Sequence, residues 1–192
     1  MVAKQKKSRV VWEHTIALKR HNKRMTNFPK LDGSEDFVEF AWEQHLVENR
    51  ETLWLIVLDS KHHVRSIKLV SAGDINTSLS CPGEIAKHLL LSNAQACAFI
   101  HSHPTGIINP SEQDIGCAAH FATICKLLNV ELLDFAILGT TPSDGYYSLA
   151  ENEELYEIIS TVHDDFITGI HEAQNQYVAR RAVNKWMGGR DA

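Results

Sequence analysis

Four cysteines occur, Cys81, Cys97, Cys117 and Cys125, and no two of them form a Cys-x-x-Cys pair. That argues against a cysteine-based zinc knuckle and against a thioredoxin-like redox site; small, reduced, buried thiols are expected instead. No apolar run is long enough to span a bilayer, and the N-terminus lacks the apolar stretch of a signal peptide. A cytoplasmic protein without membrane contact is therefore expected. Internal repeats and low-complexity stretches are also missing. A composition of 44% apolar and 22% charged residues excludes the disordered class, and 192 residues suit one domain with extensions rather than two packed domains.

Charge is present but unevenly spread. Residues 1–30 hold nine Lys/Arg and one acid, Glu13, which leaves ten Lys/Arg against 23 Asp/Glu in the rest of the chain. An acidic body is a poor phosphate-binding surface. The basic arm of residues 1–30, with Lys4, Lys6, Lys7, Arg9, Lys19, Arg20, Lys23 and Arg24, could touch nucleic acid weakly through charge alone. The plainer alternatives are a solvated tail, or a helix covering the body through Val10, Val11, Trp12, Ile16 and Leu18.

Asn27 to Asp36 reads as a linker, and Asp36 to Leu46 as a short helix with Phe37, Phe40, Ala41 and His45 near one face. Thr52 to Leu58 is a near-continuous apolar run, as expected of a strand buried on both faces. A polar turn over Asp59 to His63 leads into a second strand from Val64 to Val70, hairpin-paired with the first. Ser80 to Ala96 reads as a helix, Cys97 to Ile100 as a buried strand, and Pro110–Ser111 as the start of a helix to about Leu128. Strands follow at Glu131 to Gly139 and Tyr146 to Leu149. From Glu151 a helix runs to about Met187, with a break expected near Ser160 to Asp164 and an end at Gly188–Gly189. Its stripe of Phe166, Ile170, Ala173, Tyr177 and Val183 or Trp186 suits a packing face or a homodimer face. This order of elements is an α/β pattern, a single sheet with helices on its faces.

The segment from Phe99 reads FIHSHPTGIINPSEQDI. A strand alternates its side chains, so His101 and His103 point to one side, while Ser102 points to the other and supports the loop. Pro104 and Gly106 turn the chain, and Asp114 falls on the first turn of the next helix, three residues after Ser111. Two imidazoles and a carboxylate can take three corners of a metal, and three protein ligands plus water is the arrangement of a catalytic zinc. Alone, His-x-His is a common pair of satisfied histidines, and Ser-x-x-Asp at a helix start is commonly a cap. Together, on strand, turn and helix, they are hard to explain as packing.

The spacing His101-Ser-His103, seven residues, Ser111, two residues, Asp114 resembles the JAMM signature of JAB/MPN metallopeptidases. Within that superfamily the chain is most similar to bacterial RadC proteins over about residues 48 to 150. RETLWLIVLDSKHHV resembles the family's Glu-bearing first hairpin. GDINTSLSCPGEIAKHLLLSNAQACAFIHSHPTG resembles its turn, helix, Asn-Ala step and metal strand, and ELLDFAILG the strand that follows. One departure is Ser102, where RadC proteins usually carry Asn. The resemblance implies a three-layer α/β/α sandwich with one mixed sheet, of the JAB/MPN, cytidine-deaminase-like kind, over residues 31–150. The basic arm would precede it, and a helical extension, 151–192, would follow.

It further implies Zn2+ as cofactor, a protein or peptide substrate, and hydrolysis of a peptide or isopeptide bond by metal-activated water. Glu51 matches the family's general acid/base, with Glu48 its nearest competitor. Without the resemblance Glu51 reads as an exposed strand-end carboxylate. Ser111 is then a hydroxyl donor to the developing oxyanion, because the histidines that could activate it as a nucleophile are ligands. The substrate backbone is expected to pair with an exposed strand edge. Two other classes compete: a scaffold that keeps the fold without turnover, and a DNA-repair-associated nucleic-acid-binding factor. A zinc deaminase is excluded, since neither His-x-Glu nor Pro-Cys-x-x-Cys is present. His62, His63, His88, His120, His163 and His171 read as surface or partly buried histidines, and Trp54 as core.

Overall fold

A computed structural model describes residues 29–48, 50–73 and 82–188. The apolar run at 52–58 forms β1 (Thr52–Leu58), and a turn leads into β2 (Val64–Ala72). Asp59 closes that turn, its Oδ1 accepting from the backbone N–H of Lys61 at 2.8 Å and of His63 at 3.0 Å. β3 (Ala96–Ser102), β4 (Glu131–Leu138) and β5 (Tyr146–Ser148) complete one sheet in the order β2-β1-β3-β4-β5. The β3–β4 pair is parallel and the other three are antiparallel. β1 and β3 lie inside the sheet with both faces covered, which is why TLWLIVL and ACAFIHS lack polar alternation.

Helices cover both faces, so the chain is a three-layer α/β/α sandwich around one mixed sheet. On one face lies α1 (Ser34–Glu43), whose Phe37, Val38, Phe40 and Ala41 meet Ile56, Ala98, Ile100 and Ala136. Alanines at 98 and 136 let this single helix approach closely. The other face carries α2 (Pro82–Leu91), α3 (Glu112–Leu128) and the start of α4 (Glu154–Gly188). Here Phe99 stacks on Phe121 with ring centroids 4.1 Å apart and planes within 10°, and Phe135 flanks both. Cys97 and Cys125 lie buried in this layer with sulfurs 3.5 Å apart; their mutual hydrogen bond and burial push the Cys97 thiol well up. These thiols are free, as the sequence predicts; Cys81 lies outside the described residues.

A buried carboxylate ties α1 to the far edge of the sheet. Asp134 Oδ2 accepts from the Ser148 hydroxyl at 2.8 Å and Oδ1 from the Ala150 N–H at 3.2 Å, while Ser34 Oγ lies 3.0 Å from Ser148 Oγ. Burial raises the Asp134 carboxyl against these lowering contacts.

Several boundaries differ from those read in the sequence. α1 starts two residues earlier, because Asp36 Oδ2 accepts from the N–H groups of Asp32 and Gly33 and so organises the first turn. It also ends sooner: His45 adopts φ +54, lies outside the helix and is exposed, while Leu46 returns to the core. Pro29 and Leu31 are pinned to the β1–β2 turn by backbone bonds to Val64 and His62, so this stretch is not a free linker. α2 stops at Leu91 rather than Ala96, since Asn93 turns left-handed (φ +52) and the Ala94 N–H caps the Leu89 carbonyl. The break expected near 160–164 is absent; α4 runs through as one helix of 35 residues. No described helix is long and apolar enough to cross a membrane.

Candidate metal centre

β3 directs Phe99 and His101 to the α2–α3 face and Ser102 to the α1 face, the alternation expected of a strand. His103 lies just beyond the strand, its N–H still donated to the Leu138 carbonyl at 2.9 Å along β4. Gly106, at φ +75, then turns the loop and donates its N–H to the His103 carbonyl. Ser111 caps α3: its Oγ accepts from the Asp114 N–H at 3.3 Å. In return the Ser111 N–H and hydroxyl both donate to Asp114 Oδ2, at 2.8 and 2.6 Å, which fixes the carboxylate at the helix start.

These elements bring His101, His103 and Asp114 together. His101 Nε2 lies 3.3 Å from Asp114 Oδ1, and His103 Nε2 lies 3.6 Å from Oδ2. One ligand atom from each residue falls within 4.8 Å of the others. The two imidazoles stand nearly perpendicular, at 89°, with ring centroids 4.6 Å apart. Each donates its other nitrogen to a backbone carbonyl: His101 Nδ1 to Thr52 at 3.0 Å, and His103 Nδ1 to Ile107 at 2.6 Å. With Nδ1 of each ring held by a backbone carbonyl, both Nε2 atoms face Asp114 and are the nitrogens left for a cation, which would displace a proton shared there with the carboxylate. Asp114 is 1% exposed, and no Lys or Arg pairs with it among the described residues. A buried carboxylate between two imidazoles, without a cationic residue, suits a cation. No fourth His, Cys, Asp or Glu joins the group among the described residues, so it offers a metal three ligands.

The electrostatics support this use. Burial raises the Asp114 carboxyl, but hydrogen bonds from His103 and Ser111 overturn that and hold it at about 2, so it is ionised at neutral pH. Burial holds the His101 imidazole below its ordinary value, against the pull of Asp114. His103 moves up, chiefly through its hydrogen bond to Asp114, with Glu51 adding to the rise. Cys117, one turn further along α3, is pushed up to about 12 by burial and by the Asp114 charge, which disfavours a thiolate ligand there.

Glu51 precedes β1 and is half-buried, and its charge reaches His103. Glu48, its competitor in the sequence, lies instead in a surface pair with Arg50 at 2.8 Å. The backbone on both sides of Glu51 is held by one hydroxyl. Ser102 Oγ accepts from the Thr52 N–H at 3.1 Å, contacts Thr52 Oγ1 at 2.7 Å and donates to the Arg50 carbonyl at 3.4 Å. The Glu51 carbonyl itself accepts from the Gly73 N–H at 2.8 Å.

Comparison with known proteins agrees with this geometry. A family model described as RadC-like JAB domain matches residues 31–155, well over half of the chain. The chain belongs to this RadC-like JAB family. Among curated relatives, a protein named UPF0758 protein from Chlorobium phaeovibrioides (strain DSM 265 / 1930) is 32% identical over 135 residues. That match covers 70% of this chain and 59% of the relative. A UPF0758 protein from Desulfitobacterium hafniense (strain DSM 10664 / DCB-2) is 31% identical over 123 residues, covering 64% of this chain and 53% of the relative. The match thus spans little more than half the length of these relatives.

The other histidines among the described residues of this RadC-like chain stand apart from the centre. His62 and His63 pair with Asp32 and Asp59 at the hairpin turn, and His163 pairs with Asp164 on an exposed face. His88 Nε2 meets the Ser66 hydroxyl at 3.0 Å between α2 and β2, and burial, with Lys68, lowers its pKa. His120 packs edge-on against Phe121, His171 is exposed on α4, and Trp54 is partly buried against the α1-side core. The sequence reading missed the Thr52 and Ile107 carbonyls that orient the two imidazoles. Backbone acceptors carry no residue signal, so only the fold could reveal them.

Proposed function

We propose that this chain is a JAMM-type zinc hydrolase of amide bonds, peptide or isopeptide. The observation that carries this reading is the convergence of two Nδ1-anchored imidazoles and a buried carboxylate as a three-ligand set, with the Glu51 charge beside His103. Zinc held by His101, His103 and Asp114 would supply a Lewis acid and bring the pKa of a water down towards neutrality. Glu51 is the base in this scheme: its carboxylate takes the proton from the attacking water and returns it to the leaving amine. The Thr52 and Ile107 carbonyls hold Nδ1 of both imidazoles, which leaves Nε2 of each ring for the metal. The Ser111 hydroxyl, which donates to Asp114 Oδ2 at 2.6 Å, would have to turn from that oxygen to donate to the carbonyl oxygen of the scissile bond. The sheet edge nearest Glu51 is β2, tied to it through the Gly73 N–H, and an extended substrate backbone would lie along that edge.

The test uses zinc-loaded protein and a library of peptides and lysine-linked isopeptides. Cleavage should fall by roughly two to four orders of magnitude in Glu51→Gln, the range expected for a lost general base, with zinc still bound. A Glu51→Gln protein as active as the parent would remove Glu51 from the mechanism, and a parent inert on the whole library would favour the scaffold reading. The nucleic-acid reading rests on the charge of residues 1–30 alone, of which 1–28 lie outside the described residues.

A further inference from the structure

The apolar stripe of α4 does not stop where the body stops. Leu155 is buried, and Ile159 and Val162 pack partly buried against the same core. The spacing of four, three and four then continues along the same face as Phe166, Ile170, Ala173 and Tyr177. Beyond Val162 only Phe166 keeps partial cover, and every residue from 167 to 180 is exposed, with Ile170 at 39% and Tyr177 at 64%. A helix of 35 residues is about 52 Å long, and the exposed stretch from 167 to 180 alone accounts for about 21 Å of it beyond the domain. Helices without tertiary packing are marginal in water, and this one carries a helical stripe of apolar residues with nothing of the described chain against it.

The charges along the same helix are segregated. The five acids of α4, Glu154, Glu157, Asp164, Asp165 and Glu172, all precede its three bases, Arg180, Arg181 and Lys185, and past Val162 the helix carries three of each sign. We propose that the overhang of α4 pairs with the α4 overhang of a second copy of this chain, antiparallel, stripe against stripe. In that arrangement the acidic half of each helix lies beside the basic half of the other, and the two-fold axis makes every such contact twice. A parallel pair would set acid against acid and base against base. The basic N-terminal arm is a weaker occupant, since it matches the acidic half of the stripe and is repelled by the basic half. Nucleic acid meets the converse conflict.

Sedimentation equilibrium of the full chain over a concentration series tests this. The parent should fit a monomer–dimer equilibrium that weakens as salt is raised. Asp165→Lys with Glu172→Lys, the two acids that flank the stripe, should weaken the dimer by roughly tenfold or more, as each then meets the partner's basic half with like charge. Adding Arg180→Glu with Arg181→Glu to the same chain should restore it, because only an antiparallel pair regains opposite charges. Circular dichroism confirms that each variant keeps its helix content. A parent that stays monomeric at every concentration overturns the proposal, as does a dimer indifferent to the first reversal or not rescued by the second.

Discussion

Ser102→Ala removes one oxygen atom from a residue that is 1% exposed, and its cost can be worked from what that oxygen touches. The Thr52 N–H loses its acceptor at 3.1 Å, and the Arg50 carbonyl loses a long donor contact at 3.4 Å. Thr52 Oγ1 loses a 2.7 Å partner but keeps the Leu46 carbonyl at 3.1 Å. The dominant loss is therefore one buried, unsatisfied backbone donor, which costs about 1–3 kcal/mol. For a chain of this size that corresponds to a fall in Tm of roughly 2–12 °C. Urea melts followed by far-UV circular dichroism would measure it, with Ser102→Thr as a control that keeps the hydroxyl. Because the same hydroxyl holds both neighbours of Glu51, zinc-loaded Ser102→Ala should also lose amide hydrolysis out of proportion to its stability. A stability change below about 0.5 kcal/mol, the scatter of featureless surface substitutions, would refute the clamp.

Asp134 gives a pH test. Its folded pKa is raised by burial, so the neutral carboxyl is the form the fold prefers. The stability this supplies is complete below the unfolded value of about 3.9 and is lost as pH rises through the folded one. Asp134→Asn removes the titration, so the stability of the variant relative to the parent should improve as pH climbs from about 4 towards neutrality; a pH-independent gap would contradict the assignment. Removing residues 1–28 should abolish any salt-sensitive DNA binding, measured by fluorescence anisotropy, and binding that survives would place the nucleic-acid contact on the acidic body.

Much of the sheet was legible because its central strands are apolar runs of strand length, and burial on both faces leaves no other reading of TLWLIVL or CAFI. The centre was legible because its geometry is local: alternation in β3 and one helical turn after Ser111 decide which way His101, His103 and Asp114 point. What escaped the sequence depends on contacts from elsewhere. α2 ends at Asn93 because a left-handed residue and the Ala94 N–H close it, although the apolar spacing would run on to Ala96. Asp36 reads as an ordinary first-turn acid, yet its carboxylate caps Asp32 and Gly33 and starts α1 early. Ser111 adds a contact that the spacing alone does not show: its hydroxyl donates to Asp114 Oδ2 at 2.6 Å, while its oxyanion role remains a proposal.

Cobalt or zinc titration of metal-stripped protein, read by calorimetry with a thermal melt on each sample, puts the central claim to the test. One equivalent should bind the parent. At a hundredfold excess over Kd, stability should rise by about 2.7 kcal/mol, a Tm increase of roughly 5–11 °C. His101→Ala, His103→Ala and Asp114→Ala should each lose both the stoichiometric binding and the shift while remaining folded. A parent that takes up no metal, or three variants that bind as the parent does, would contradict the account.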